Sequence, residues 1–273
     1  MAFKINRSLW IGSRVALVAL AALVLMSGWA NAQAPAGRTA NGKPDLNGIW
    51  QALNTANWDL EGHAAAMGPV AQLGAVFAEP PGLGVVEADT IPYLPAAAAK
   101  KKQNQANWAK LDPEIKCFLP GVPRAAYLPY PFQIVQGEDN ILFAYEYGNV
   151  ERVINMGPPA KPIVDTRMGT SNGHWEGQTL VIDVSGFIDE NWLDHAGNFY
   201  SDGLHVVERY TLRSPDILNY EATIADPKVY SRPWKISMPL YRRVEKNARL
   251  LEFRCAEFAE ELLYGDLVKK PGK

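Results

Sequence analysis

Beyond Cys117 the chain alternates short apolar runs with turn residues. The runs cover 141–147, closed by Gly148 and Asn149, then 151–154, 179–184, 204–212, 217–224, 234–240 and 250–255. Many of them alternate apolar and polar positions with the period of two that marks a half-buried strand. In the longest, Leu204, Val206, Glu208, Tyr210 and Leu212 share one face, and His205, Val207, Arg209 and Thr211 share the other. Consecutive strands joined by short turns predict an all-β fold: an antiparallel, up-and-down, lipocalin-like barrel whose closure removes sheet edges and whose mouth holds a small ligand. Glu176-Gly177 between two such runs predicts a type I′ turn. Residues 256–263 predict a short C-terminal helix closing the barrel domain.

The first part of the chain reads differently. Lys4, Arg7 and Arg14 precede an apolar run over 15–26, and Ala30-Asn31-Ala32 follows. This is the pattern of a secretory signal peptide over 1–32, cleaved after Ala32, with an uncleaved anchor as the alternative. Residues 33–116 are poor in β-branched residues and broken by Pro80, Pro81, Pro92 and Pro95, which predicts an irregular arm. Within it, Pro95 and the alanines and lysines after it predict one helix reaching about Lys110, and 47–50 a short strand. The barrel domain is expected over 117–273.

Composition narrows the class. At 273 residues and 48% hydrophobic the chain is long enough to bury a core. The 27 basic and 29 acidic residues give a net charge of −2, and loss of Lys4, Arg7 and Arg14 makes the exported chain more acidic. Nothing there recruits nucleic acid or holds the cleaved chain in a membrane. Export, periplasmic or secreted, predicts a disulfide between Cys117 and Cys255.

No Walker loop, dinucleotide fingerprint or Gly-x-Ser-x-Gly elbow occurs. The spacing of His174, His195, His205 and Asp183 matches no metal motif, so neither metal nor cofactor is expected. The candidate chemistry is therefore acid–base. Either His205 with Arg209 or Glu208 with Tyr210 forms a pair inside the barrel. Glu146 and Arg152 are expected to pair across a hairpin, either beside a pocket, where they position a substrate carboxylate or phenolate, or as an exposed ion pair without a functional role. Arg124, Tyr127, Tyr130 and Phe132 lie in a proline-stiffened segment suited equally to an aromatic lid or to core packing, and Trp175, Trp192 and Trp234 suit either pocket walls or core. Asp194 beside His195 is a loop acid/base pair or simply a turn.

Five stretches carry a resemblance: PDLNGIW at 44–50, CFLPGVPR at 117–124, GHWEGQTLVID at 173–183, LHVVERY at 204–210 and DPKVYSRPW at 226–234. Together they resemble a large, mostly uncharacterised family of exported bacterial proteins. Gln178 departs from the Asp usual there, within a turn. The chain is also similar to phenylcoumaran side-chain lyases of lignin-aromatic degradation. That similarity implies a cofactor-independent lyase that releases formaldehyde or carbon dioxide from an aromatic dimer and leaves a stilbene. Such a reaction needs a base, a group stabilising a phenoxide and a proton donor. His205 or Glu208, Arg209 or Arg152, and Tyr130 or Tyr210 are the expected occupants of those roles. The alternatives are a periplasmic binding protein for a hydrophobic aromatic metabolite and a structural envelope module, and a homodimer is left open.

Overall fold

The computed structural model describes residues 37–68, 74–75, 78–88 and 90–256. The expected signal peptide, and all of the expected C-terminal helix past residue 256, lie outside the described residues. Nine strands among those described close in chain order into a barrel. They are β1 (Gly48–Ala52), β2 (Phe132–Gln136), β3 (Asn140–Tyr145), β4 (Val150–Asn155), β5 (Thr170–Glu176), β6 (Thr179–Ser185), β7 (His205–Ser214), β8 (Ile217–Ala225) and β9 (Trp234–Arg242). β1 completes the cylinder, pairing with β2 through Trp50↔Phe132 and with β9 through Ala52↔Leu240. The arm expected over 33–116 thus supplies a barrel stave, and the division at 116/117 is not a division in packing.

Three further expectations are corrected. The barrel is mixed: β4 and β5 run parallel, joined at Ile154↔Ser171 and Asn155↔Asn172, because residues 156–169 carry the chain back along the barrel before β5 begins. Residues 250–255 form no strand but a segment outside the ladder. The β5–β6 turn has a positive φ at Gly177 alone, 60°, whereas a type I′ turn needs a second one at Gln178. The arm helix forms as expected at α1 (Pro95–Ala106), opened by Pro95. It breaks at Asn107, and a single turn, α2 (Trp108–Leu111), follows.

Inward positions fill the cylinder. Trp50, Phe132, Phe143, Tyr210 and Tyr220 are fully buried. Ring centroids lie 5.8 Å apart for Phe132 and Phe143, 5.3 Å for Phe143 and Tyr210, and 4.9 Å for Tyr210 and Tyr220. A barrel of about eight strands encloses little more than its own side chains, and this layer of rings is a packed core.

The strand directions decide where chemistry can sit. β1, β3, β6 and β8 all end at one rim, and β2, β4, β7 and β9 start there. The connections 53–131, 186–204 and 226–233 therefore cap the same rim. The stretches 120–128 and 191–200 of that cap are buried throughout, unusual for loops, whose backbone groups must then find partners within the protein.

Candidate functional site

The cap holds a cluster built on Asp112. Asp-Pro-Glu at 112–114 is a helix-start pattern, and Asp112 caps the 3₁₀ turn Pro113–Lys116, its Oδ1 accepting from the Glu114 N–H at 2.9 Å. The same carboxylate accepts a bidentate pair from Arg124, Nη1 at 2.8 Å and Nη2 at 2.9 Å, and a bond from His195 Nδ1 at 2.8 Å. Both oxygens are thus fully used. Burial alone would raise the Asp112 carboxyl; Arg124 and His195 outweigh it and hold the group well below the usual carboxylate range. Burial alone would likewise lower Arg124, and Asp112 reverses that, raising the guanidinium further.

His195 is oriented on both sides of its ring. Arg124 Nε donates to Asn57 Oδ1 at 2.8 Å, which turns the Asn57 amide so that Nδ2 donates to His195 Nε2 at 3.0 Å. This network assigns the neutral ring its proton at Nδ1. The Glu114 carboxylate stands 3.8 Å from Nε2. Trp58 and Trp108 flank the imidazole, with ring centroids at 5.1 and 4.7 Å. His195 is 9% exposed, whereas Asp112 is sealed: the cluster is a buried carboxylate reaching the edge of the cap through one imidazole.

Asp194 and His195, adjacent in sequence, part company in space. Asp194 accepts from the backbone N–H of Leu60 at 2.9 Å and of Asn198 at 3.1 Å, and from the Asn198 side chain at 2.5 Å. Burial, and then the neighbouring Asp59, push its carboxyl up to about 8 against those bonds. Its hydrogen bonds tie 194–198 to 60, which makes it a structural carboxyl rather than the partner of His195.

A second polar group lies inside the barrel. Glu208 and Tyr210 point inward, as one of the two expected arrangements has it. Glu208 accepts from Tyr210 at 3.0 Å, from Tyr220 at 2.9 Å and from Arg152, whose Nε donates to Ser171 at 2.8 Å. Glu208 has no exposed surface, and burial raises the phenols of Tyr145 and Tyr210. This knot neutralises its own charges out of reach of solvent.

The other expected residues are scattered. His205 and Arg209 face outward, His205 to Asp183 at 2.8 Å and Arg209 to Glu176 at 2.8 Å, so the arrangement with these two inside the barrel is overturned by strand parity. Glu146 and Arg152 do not pair. Arg152 lies opposite Phe143 and turns inward, and Glu146 sits in the hairpin loop and accepts from the Leu251 N–H at 2.7 Å. Tyr130 packs edge-on to Phe253 at 5.2 Å. Trp175 lies under Lys43 at 5.9 Å, Trp192 is buried in the cap, and Trp234 meets Tyr230 edge-on at 5.4 Å. Arg124 does reach the candidate centre, as an orienting group. His174 pairs with exposed Glu176 at 3.2 Å. Cys117 and Cys255 are disulfide-bonded.

No protein-family model matches this chain, and no curated protein is significantly similar to it. The functional argument therefore rests on the residues themselves. Asp112, Asn57, Glu114, Trp58 and Trp108 escape a strand-based reading because they lie in the irregular arm. The capping signal at Asp-Pro-Glu marks Asp112 as oriented, and nothing local indicates that His195, 83 positions away, is its partner.

Proposed function

We propose that this protein is a general acid–base enzyme acting on a small aromatic molecule, with His195 as its proton-transfer group. The observation that carries the reading is the Asp112–His195 pair, a buried carboxylate bonded to the far nitrogen of an imidazole that keeps a little exposure at the cap, beside two tryptophans packed edge-on to each other. A carboxylate at Nδ1 fixes the tautomer and stabilises the imidazolium formed when Nε2 takes a proton. The tryptophan rings offer faces for an aromatic substrate.

The reaction we assign is the cofactor-independent side-chain cleavage that the sequence resemblance implies. The hydroxyl of a phenylcoumaran hydroxymethyl group displaces the Asn57 amide at His195 Nε2 and gives its proton to the ring. The carbon–carbon bond breaks to release formaldehyde, its electron pair forms the stilbene double bond, and the ether carbon–oxygen bond opens to a phenoxide. The imidazolium returns the proton to that oxygen, so atoms and charge balance. Export to an oxidising compartment belongs to the same reading, supported by the basic and apolar N-terminal pattern and by the Cys117–Cys255 bond.

The test is a mass-spectrometric assay of purified mature protein with lignin-type dimers and no added cofactor. Stilbene and formaldehyde, or carbon dioxide from a carboxylated dimer, are expected from the wild type. His195→Ala should fall by a factor of at least about 100, the usual contribution of a positioned base. Full turnover by folded His195→Ala overturns the assignment.

A carrier for a hydrophobic aromatic metabolite is the second reading. It draws on a largely apolar cavity of about 420 Å³ between Leu53, Pro81, Leu83, Val85, Met238 and Pro239, a size suited to such a ligand. Thermal stabilisation by dimers that emerge unchanged would favour it.

A further inference from the structure

The turn that presents Asp112 and Glu114 to His195 ends at Cys117, and Cys117 is bonded to Cys255 at the far end of the described chain. The segment 250–256 has no ladder to hold it. Besides the disulfide, its ties to the barrel among the described residues include two sets of hydrogen bonds and a ring contact. The Leu251 N–H donates to Glu146 at 2.7 Å, and Asn149 donates to the Phe253 carbonyl at 2.9 Å and accepts from its N–H at 3.4 Å. The Phe253 ring lies against Tyr147 and Tyr130, at 4.6 and 5.2 Å. Tyr147 in turn donates through its hydroxyl to the Glu114 carbonyl at 2.9 Å. Two routes, one covalent and one through Phe253 and Tyr147, therefore run from this segment to the same 3₁₀ turn. Cys255 is exposed, so a thiol in solution can reach the bond.

We propose that the Cys117–Cys255 disulfide is a redox latch on the His195 centre: a dithiol that reduces it releases the 250–256 segment and lets Glu114 drift from its place 3.8 Å from His195 Nε2. The dithiol supplies two electrons and two protons. The Cys117–Cys255 bond breaks to two thiols while the dithiol closes to its own disulfide. Asp112 and Ile115 remain buried, so the barrel and the Arg124 pair persist and the change is one of position. Glu114, half-buried and tied to Tyr147 through its carbonyl, carries the change. The latch is a positioning device and rests on the reading of His195 as the reactive group.

The experiment compares oxidised mature protein, the same protein in dithiothreitol, and Cys255→Ser, with thiol titration to confirm each state. Three signals are read: the imidazole resonances of His195, assigned with His195→Gln; cleavage within 244–256 by a trace of protease; and turnover of the dimer. Reduction and Cys255→Ser are both expected to expose the segment to cleavage, shift the His195 resonances and lower turnover about tenfold, a modest cost for a displaced catalytic contact. Reoxidation should restore all three in the wild type alone. Unshifted His195 resonances in fully reduced, folded protein overturn the latch, as does an uncleaved segment. Because resonances and cleavage need no substrate, absence of turnover in the oxidised protein would count against the proposed reaction and leave the latch decided on its own signals.

Discussion

Each of the two charged clusters is held together by one arginine, and the two respond differently to substitution. Arg124 and Arg152 are both buried against a single carboxylate, Asp112 and Glu208 respectively. Removing one partner of such a pair leaves an uncompensated charge, at a cost of about 3–5 kcal/mol. Glu208→Gln is expected to destabilise by roughly that amount in urea unfolding, while the molecules still folded keep wild-type turnover, because Glu208 touches neither solvent nor the cap. Asp112→Asn is expected to cost a similar amount, about 3–5 kcal/mol, and also to abolish turnover, since it strips His195 of its Nδ1 acceptor. Equal turnover in the two variants would show that the barrel knot and the cap cluster had been given the wrong roles.

The carboxyls also set opposite pH limbs. Asp112 is lowered in the folded protein, so its stabilisation is present above the unfolded value of about 3.9 and is lost as pH falls further. Asp194 is raised, so its contribution is complete below about 3.9 and is lost as pH climbs toward about 8. Urea midpoints measured from pH 3 to 9 should therefore fall off on both sides. The Asp112→Asn protein should lose most of the acid slope and keep the alkaline one. An unchanged acid slope in that variant would assign acid sensitivity to other carboxylates.

At the scale of elements, strand parity explains why one of two equally plausible faces carries the knot. Val206, Glu208 and Tyr210 alternate with His205, Val207 and Arg209, and a single-residue slip would exchange them. Glu208 goes inward because its neighbours there, Tyr210, Tyr220 and Arg152, satisfy it completely, whereas His205 and Arg209 find Asp183 and Glu176 on the outer surface. Alanine at His205 or Arg209 should accordingly leave the urea midpoint and turnover close to wild type, as expected of exposed ion pairs. A large loss of turnover in either would return the chemistry to the outer face of β7. The same parity was readable in the sequence, but the choice between the faces depends on β4 and β8, whose residues come from other parts of the chain.

For the molecule as a whole, the disulfide closes a loop of 138 residues. Chain-entropy reasoning gives such a crosslink about 4–5 kcal/mol, a ceiling that measured bridges often miss. Reduction should lower the midpoint of thermal unfolding without abolishing the fold, since the barrel ladder from β1 to β9 does not pass through either cysteine. Reduced protein that is unfolded at room temperature would mean the barrel depends on the bond.

Local pattern by itself determined the β character of the second half, most of its strands, the helix opened by Pro95 and the pairing of the cysteines, because period and turn residues are short-range properties and two cysteines admit one pairing within the chain. It also marked the Asp194–His195 loop and Arg124 as notable. Only the tertiary structure decided that β1 from the arm completes the barrel, that β4 and β5 run parallel, and that 250–255 leaves the sheet, since ladder partners are chosen across long separations. The same holds for the candidate centre. Asp112, Arg124 and Asn57 come from one long connection and His195 from another with no pattern in common, and they meet because the strand directions bring both connections to one rim.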